Sequence, residues 1–237
     1  FTLITDAVAA RVNTKDGKAT SVSYIDSNTR DAREIRAKVI VLCASTLEST
    51  RLLMNSGIGK SSDVLGRYLM DHIFRGSVSG EMPIQEARPW AGPPRRPNGL
   101  YIPRFRNVKE KTTNGFIRGY GYQGSSMPAF RFDAPGFGKE YKDAVRNGLW
   151  RIAFTPFCET LPRFENHVAI DPNRVDAWGI PVLRMHMEWS DNELKLWNDS
   201  REQGAEMLAA AGARDIRMGG EISTPGLCIH EVGTARM

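Results

Sequence analysis

The sequence is poor in cysteine and contains no long hydrophobic run. Only three of its 237 residues are cysteines (Cys43, Cys158 and Cys228), an odd number set far apart in apolar surroundings. That usage predicts buried thiols and speaks against a disulfide framework. The longest apolar run, residues 39–44, is strand-sized and falls far short of the ~20 residues that a transmembrane helix needs. We therefore expect no membrane-spanning segment in this chain.

A dense basic cluster is also missing, although 32 basic residues outnumber 27 acidic ones and the net charge is +5. The densest basic spots, Arg95-Arg96 and Lys109 to Lys111, lie in polar, proline-containing stretches, as solvated surfaces do. Nucleic-acid binding is therefore not expected. The first residues open directly onto a strand-like pattern and show no signal peptide, but a chain that begins without Met gives little information about targeting. The compartment is left open, with a soluble protein of the cytoplasm or the periplasm expected.

The hydrophobic pattern of the first third predicts strands followed by one helix. Residues 1–25 read as strands, with Asp16-Gly17 as a hairpin turn. Residues 35–44 predict a strand buried on both faces. Residues 45–57 have helical spacing, and Gly57 is a suitable terminator.

The remaining sequence changes in character. Residues 74–135 are rich in proline, glycine and aromatics, which predicts a sheet-based region with long loops. Strands are expected over 151–189, and the segment 181–189 alternates so that one face is apolar. A helix is predicted over 190–211, followed by a strand at 214–218. In this helix, Ser190 and Glu193 are expected to form a capping box. Its expected apolar stripe consists of Leu194, Trp197, Ala205 and Leu208. This order indicates a mixed α/β (α+β) chain with two regions.

Two familiar site patterns are rejected on physical grounds. Residues 119–124 match Gly-x-Gly-x-x-Gly, but Pro128 and Pro135 prevent the helix that such a dinucleotide loop must open. We interpret them as a glycine-rich strand. No pair of histidines or cysteines has the spacing of a zinc site, and no metal site is predicted. His167 and His186 are expected to have structural or solvent-facing roles.

His230 differs from the other histidines in its context. It follows an apolar, strand-like run and precedes Gly233-Thr234. A strand end can present the imidazole, and the backbone amides that follow can face an anion or a planar ring.

Four phrases in order resemble the glucose-methanol-choline family of oxidoreductases. They are residues 37–59, residues 65–72 with Tyr68 where the family usually has Asn, residues 165–187, and the phrase HEVGTARM at 230–237. The resemblance is strong over 1–72 and 160–237 and weak over 75–158.

The resemblance implies an FAD enzyme that oxidises an alcohol, often on a sugar or polyol. Hydride would pass to flavin N5, and His230 would accept the hydroxyl proton, because an alcohol is a very weak acid and needs a base. The implied substrate is a small alcohol or sugar, and the sequence leaves open whether the electron acceptor is oxygen, a quinone or a cytochrome.

The resemblance also implies cofactor-binding positions and domains. Ala9 would meet the adenine, Ala44 and Ser45 occupy a turn where Ala-Gly is usual, and Gly233 and Thr234 would lie beside the isoalloxazine. Asp71 and His72 are expected to be structural or supporting residues. The implied domains are 1–72, part of an FAD-binding domain; 73–225, a substrate-binding domain with long loops and a packed helix; and 226–237, which returns to the first domain.

The family's phosphate-binding glycine loop is expected upstream of Phe1, and a second catalytic His or Asn downstream of Met237. We therefore expect the chain alone to bind FAD weakly or not at all, whereas bright yellow protein with stoichiometric flavin would contradict this.

Two other functions remain open. One is a non-catalytic carbohydrate-binding or interaction module, with aromatic side chains that stack on sugar faces. The candidates for that stacking are Trp90, Tyr101, Phe105, Tyr120 and Tyr122. The other is a zinc hydrolase with His230 as one ligand, which needs two further ligands.

Overall fold

A computed structural model describes residues 1–82, 99–109, 114–128, 134–146 and 150–236. Several residues singled out from the sequence lie outside these ranges: Trp90, Arg95, Arg96, Lys111 and Met237. The described strands are β1 (Ala7–Lys15), β2 (Lys18–Asp26), β3 (Ala32–Arg36), β4 (Val78–Met82), β5 (Gly99–Ile102), β6 (Tyr120–Pro128), β7 (Trp150–Cys158), β8 (His167–Val175), β9 (Pro181–His186) and β10 (Arg214–Met218). The described helices are α1 (Ser45–Ser56), α2 (Gly138–Arg146) and α3 (Asp191–Ala210).

The chain divides into two compact units. Unit 1 comprises Phe1–Asp71, Pro162–Glu188 and Ile229–Met237, and unit 2 comprises His72–Leu161 and Trp189–Cys228. The mixture of helices and antiparallel sheets confirms the expected α/β class. Residues 162–188, which the sequence grouped with the middle region, cluster instead with unit 1. None of the described helices has the length and apolar composition needed to cross a bilayer.

Unit 1 contains the antiparallel sheet β1-β2-β3, the hairpin β8-β9 and helix α1. The predicted hairpin is confirmed, because β1 and β2 pair on either side of Asp16-Gly17, both at positive φ. Helix α1 ends as predicted at Gly57, whose φ of 71° favours glycine. The backbone N–H of Val12 in β1 donates to Ser56 Oγ at 2.9 Å, which fixes α1 against the sheet.

The prediction of a doubly buried strand over 35–44 is wrong. Strand β3 ends at Arg36 and is exposed throughout, and Val39 and Val41 are each 76% exposed. A strand is buried on both faces only when it belongs to a sheet whose two faces are covered by other layers. Within the described residues, nothing pairs with 39–43. Cys43 is consequently exposed, contrary to the expectation of a buried thiol, whereas Cys158 and Cys228 are buried.

Unit 2 is built on a five-stranded antiparallel sheet, with the order β10-β4-β7-β6-β5. Helix α3 packs on this sheet and begins with the predicted capping box of Ser190 and Glu193. Its most buried stripe is rotated from the predicted one, because Leu196 is fully buried whereas Leu194 is 40% exposed. Gly204 belongs to this stripe, since a Cβ there would lie 3.1 Å from Val78 in β4. Small residues therefore set the contact face by letting the helix approach the sheet closely.

Other predicted elements have mixed outcomes. Residues 120–124 form the first part of β6 and open no helix, which confirms the rejection of a dinucleotide loop. The strand at 214–218 is confirmed as β10. The predicted apolar face of 181–189 is only partly buried, because β9 ends at His186 and Met185 is 54% exposed. Among the residues that the structure describes, the sheet that contains β9 has only two strands, β8 and β9. Helix α2 was not predicted.

Candidate functional site

The start of helix α1 is an uncapped helix N-terminus. Ala44 occupies the N-cap position, and its side chain makes no capping hydrogen bond. Ser45 follows at a φ of 61°, in the left-handed region that favours glycine. This turn therefore keeps the backbone of the usual Ala-Gly sequence although serine replaces glycine. Amides left without a cap at such an end attract negative charge.

The segment after His230 lies against this helix through buried hydroxyls. Thr234 and Thr50 are both fully buried, and their hydroxyl oxygens are 2.7 Å apart. Thr50 donates to the carbonyl of Thr46 at 2.8 Å. In that arrangement the Thr234 hydroxyl donates to Thr50. The C-terminal segment is thus fixed to the first turns of α1.

The same segment forms backbone hydrogen bonds with residues 66–70. Met70 and Val232 exchange N–H to carbonyl bonds of 2.9 and 3.0 Å, and the Gly66 N–H donates to the Thr234 carbonyl at 2.6 Å. Close packing requires glycine at both ends of this contact. A Cβ on Gly66 would lie 2.5 Å from the carbonyl oxygen of Val168, so a larger residue at this position would force the backbone apart.

Gly233 occupies the most crowded position in this region. Its φ is 105°, and a Cβ there would lie 2.0 Å from the carbonyl oxygen of Tyr68. Tyr68 itself has a φ of 62°. Asn tolerates that conformation better than Tyr does, which accounts for Asn being usual at this position. The Tyr68 ring contacts Phe164 edge-on, and the Arg236 guanidinium lies 5.3 Å from its centroid.

His230 lies at the exposed surface of unit 1. Its backbone N–H donates to Asp71 Oδ1 at 3.2 Å, and Asp71 is 2% exposed. The preceding residue, Ile229, has a φ of 65°, which is rare for a β-branched residue. A buried carboxylate and a strained backbone therefore hold the start of this segment, which fits the supporting role expected of Asp71.

Two cavities flank the turn at Ala44 and Ser45. The first has a volume of about 420 Å³ and is lined by Leu42, Cys43, Ser45, Thr46, Ser49, Gly233, Ala235 and Arg236. The second has a volume of about 310 Å³ and is lined by Ala7, Val8, Ala9, Ala10, Ala44, Glu48, Arg51, Leu52, Asn55 and Ile180. Four predicted cofactor positions thus line the two cavities beside this turn, with Ser45 and Gly233 in the first cavity and Ala9 and Ala44 in the second. Thr234 is buried and lines neither, and neither does His230.

The chemistry of the two cavities fits two parts of a flavin dinucleotide. The first offers three hydroxyls, the cation of Arg236 and the uncapped helix end, which suit a phosphate or a polyhydroxylated chain. One wall of the second is formed by alanines on β1, and such small side chains let a flat ring lie against the backbone. Sequence reasoning missed Thr46, Ser49 and Arg236, although Arg236 lies within the 230–237 phrase.

Helix α1 is also fixed to the region around β8 and β9, through the side chain of Arg51. Arg51 donates to Asp176 Oδ2 at 2.6 Å and to the carbonyls of Pro181 and Ile180 at 2.7 and 2.9 Å. Burial alone would raise the pKa of Asp176, but the Arg51 guanidinium and backbone N–H groups lower it below its ordinary value. The second cavity therefore has a wall held by a partly buried ion pair.

The alternative functions find less support. Tyr120 and Tyr122 belong to the core of unit 2 and cannot stack on a sugar, whereas Tyr101 and Phe105 are 69% and 42% exposed. No group of three or more His, Cys, Asp or Glu residues gathers at metal-binding distance within the described ranges. His167 and His186 lie in register across β8 and β9, with ring centroids 5.3 Å apart, and His186 is exposed.

Comparisons with known proteins agree with this geometry. The family model described as GMC oxidoreductase matches residues 1–74. The 2-methyl-1,2-propanediol dehydrogenase of Mycolicibacterium austroafricanum is 31% identical, over 99% of this chain and 44% of its own length. The C-glycoside 3-oxidase of Microbacterium trichothecenolyticum is 26% identical, over 100% of this chain and 43% of its own length. The fructose dehydrogenase large subunit of Gluconobacter japonicus is 25% identical over 91% of this chain. The chain spans less than half the length of these relatives.

Proposed function

Since this chain belongs to the GMC oxidoreductase family, we propose that it contributes part of an FAD site and the proton acceptor of an enzyme that oxidises an alcohol group. The observation that carries this proposal is the gathering of Ala9, Ala44, Ser45 and Gly233 at the start of α1. The names of the relatives, which act on a diol, a C-glycoside and fructose, favour a small alcohol or a sugar as substrate.

Ser45, Thr46, Ser49 and Arg236 would bind the polar part of the cofactor, and the alanines around Ala9 would contact its adenine. Bound FAD would supply the acceptor for the hydride that leaves the alcohol carbon. The fixed backbone of Gly233 and Thr234 would hold one edge of the site, because hydrogen bonds to residues 66–70 and to α1 prevent its displacement.

His230 would accept the hydroxyl proton. Its exposed imidazole is accessible to a substrate, and its backbone is fixed through Asp71. A neutral imidazole is a suitable acceptor near neutral pH, because its ordinary pKa is ~6.5. Removing a general base of this kind slows the chemical step by about 10²–10⁴-fold.

The test is a His230→Ala variant of the flavin-loaded holoenzyme, examined by stopped-flow spectroscopy with a polyol or sugar series. We expect retained flavin absorbance and reduction by substrate slowed by at least about 10²-fold. The matched control is His186→Ala, which removes another exposed imidazole of unit 1 and is expected to leave the reduction rate unchanged. Equal reduction rates in the wild type and the His230 variant would refute the proposed role.

A further inference from the structure

Unit 1 contains a larger cavity at the opposite end of α1. Its volume is about 630 Å³, and it lies between the C-terminal part of α1 with the following loop and the β8-β9 hairpin. None of the positions assigned to the cofactor or to proton transfer lines it. Its size falls within the range of small-molecule sites, so it is a candidate binding site of its own.

One wall of this cavity is apolar. The side chains that form it come from three parts of unit 1: Met54 and Ile58 from α1 and its C-terminal end, Leu65 from the loop, and Phe164, Val168 and Ile170 from the β8 side. Such a wall favours a ligand with a hydrocarbon or aromatic body, because burying apolar surface is favourable.

The other wall carries an excess of positive charge. Lys60, Arg67 and Arg184 line the cavity with a single carboxylate, Asp63. Within the described part of the chain, none of these three cations lies within 4.0 Å of a carboxylate. Arg51 in the same unit, by contrast, binds Asp176 at 2.6 Å. The cavity thus presents positive charge that its own walls do not neutralise.

Arg67 is held in an orientation suited to anion binding. Its guanidinium carbon lies 4.4 Å from the centroid of the Phe164 ring. Stacking on an aromatic face fixes the plane of a guanidinium and leaves its N–H edge for a planar acceptor. No hydrogen bond of that edge occurs among the described residues. A carboxylate is the acceptor that matches this fork in two parallel bonds.

We propose that this cavity binds an amphiphilic organic anion, in which a carboxylate-type head group meets Arg67 and Arg184 and an apolar body contacts Met54, Ile58 and Ile170. The proposal requires both parts of the ligand, since the charged and apolar walls face the same space.

Isothermal titration calorimetry on the full chain tests this with octanoate, octanol, octylamine and inorganic phosphate. A charge-assisted hydrogen bond corresponds to about tenfold or more in affinity. We therefore expect octanoate to bind at least about tenfold more tightly than octanol, and more weakly as salt is added. Octylamine is expected not to bind. Equal binding of octanol, or of phosphate alone, overturns the proposal, because either result removes one of its two parts.

Variants locate the site. Arg67→Gln and Arg184→Gln each remove a positive charge and are expected to raise the Kd for octanoate about tenfold. Ala169→Leu fills the cavity and is expected to weaken octanoate binding without changing the charge of the site. The control is Arg174→Gln, since Arg174 is an exposed cation on β8 outside the cavity. An equal loss in the control indicates general surface attraction and refutes the site.

Circular dichroism checks that each variant is folded. If Arg67→Gln unfolds through loss of its contact with Phe164, two other measurements test whether octanoate binds in this cavity. They are the binding of octanoate to Ala169→Leu and the binding of the four ligands to the wild type. No flavin is required, so failure here is distinguishable from failure of the proposed oxidoreductase function.

Discussion

The backbone N–H of His230 donates to Asp71 Oδ1 at 3.2 Å, and that carboxylate is almost entirely buried. The contact joins two residues that are 159 positions apart in the sequence. This hydrogen bond joins a part-buried N–H to a charged acceptor, and such a bond typically contributes about 1.5–3 kcal/mol to stability. Asp71 therefore controls where the His230 backbone lies, although it is not itself proposed to touch a substrate.

Replacing Asp71 tests that control. Asp71→Ala is expected to lower the free energy of unfolding by about 2 kcal/mol and to speed amide hydrogen exchange at His230. Asp71→Asn keeps an acceptor oxygen and is expected to show a smaller effect on both quantities. Urea denaturation and exchange measured by NMR are the readouts. Wild-type exchange at His230 in the alanine variant would contradict the assignment.

The turn at Ser45 predicts a stabilising substitution. A side chain at a left-handed φ costs about 1–2 kcal/mol, and part of any gain from glycine is lost to its greater freedom in the unfolded chain. Ser45→Gly is therefore expected to raise the free energy of unfolding by about 0.5–1 kcal/mol. Ser49→Gly in the interior of α1 is the matched control and is expected to lower it by about 0.5 kcal/mol. Denaturant titration distinguishes the two, and the same sign for both would refute the backbone explanation.

Local sequence signals predicted the elements whose determinants are local. The Asp16-Gly17 turn, the end of α1 at Gly57 and the Ser190–Glu193 capping box each depend on a few neighbouring residues, and each is confirmed. Burial depends on partners that are distant in the chain. The exposure of Val39 therefore escaped prediction, since an apolar run does not reveal whether other strands will pair with it.

The candidate site shows the same division. The resemblance supplied Ala9, Ala44, Ser45 and Gly233, and in the structure these residues line the two cavities beside the start of α1. The hydroxyl pair of Thr50 and Thr234 could not be predicted, because these residues are 184 positions apart and neither belongs to a recognisable pair motif. Whether these positions bind FAD stays a prediction.

That hydroxyl pair provides a further test. Thr234→Val keeps the shape of the side chain and removes its buried hydroxyl, so the free energy of unfolding is expected to fall by about 1 kcal/mol. Thr234→Ser keeps the hydroxyl and loses only a methyl group, so the amide hydrogen-exchange rates of α1 in this variant are expected to match those of the wild type. Hydrogen exchange at Thr50 separates the two variants. Unchanged exchange at Thr50 in the valine variant would show that the hydroxyl contact does not hold the segment.

The core tyrosines of unit 2 predict a loss of stability in alkali. The Tyr120 hydroxyl donates to Asp199, which also accepts two bonds of 3.0 Å from Arg106, and the Tyr122 hydroxyl donates to the Ser200 carbonyl at 2.5 Å. Burial raises the pKa of both tyrosines well above their ordinary range, and the Asp199 carboxylate raises that of Tyr120 further.

The free energy of unfolding falls in alkali because the tyrosines ionise at lower pH in the unfolded chain than in the folded protein. Both pKa values are higher in the folded protein, so the stabilisation is complete below the unfolded pKa of ~10 and is lost as pH rises above it. At pH ~11 each tyrosine is expected to lower the free energy of unfolding by about 1.4 kcal/mol relative to neutral pH. Tyr120→Phe removes one of these groups and, although less stable at neutral pH, is expected to lose about 1.4 kcal/mol less than the wild type between the two pH values. Urea denaturation of both proteins at the two pH values measures this difference, and an equal loss in both would show that Tyr120 does not ionise on unfolding.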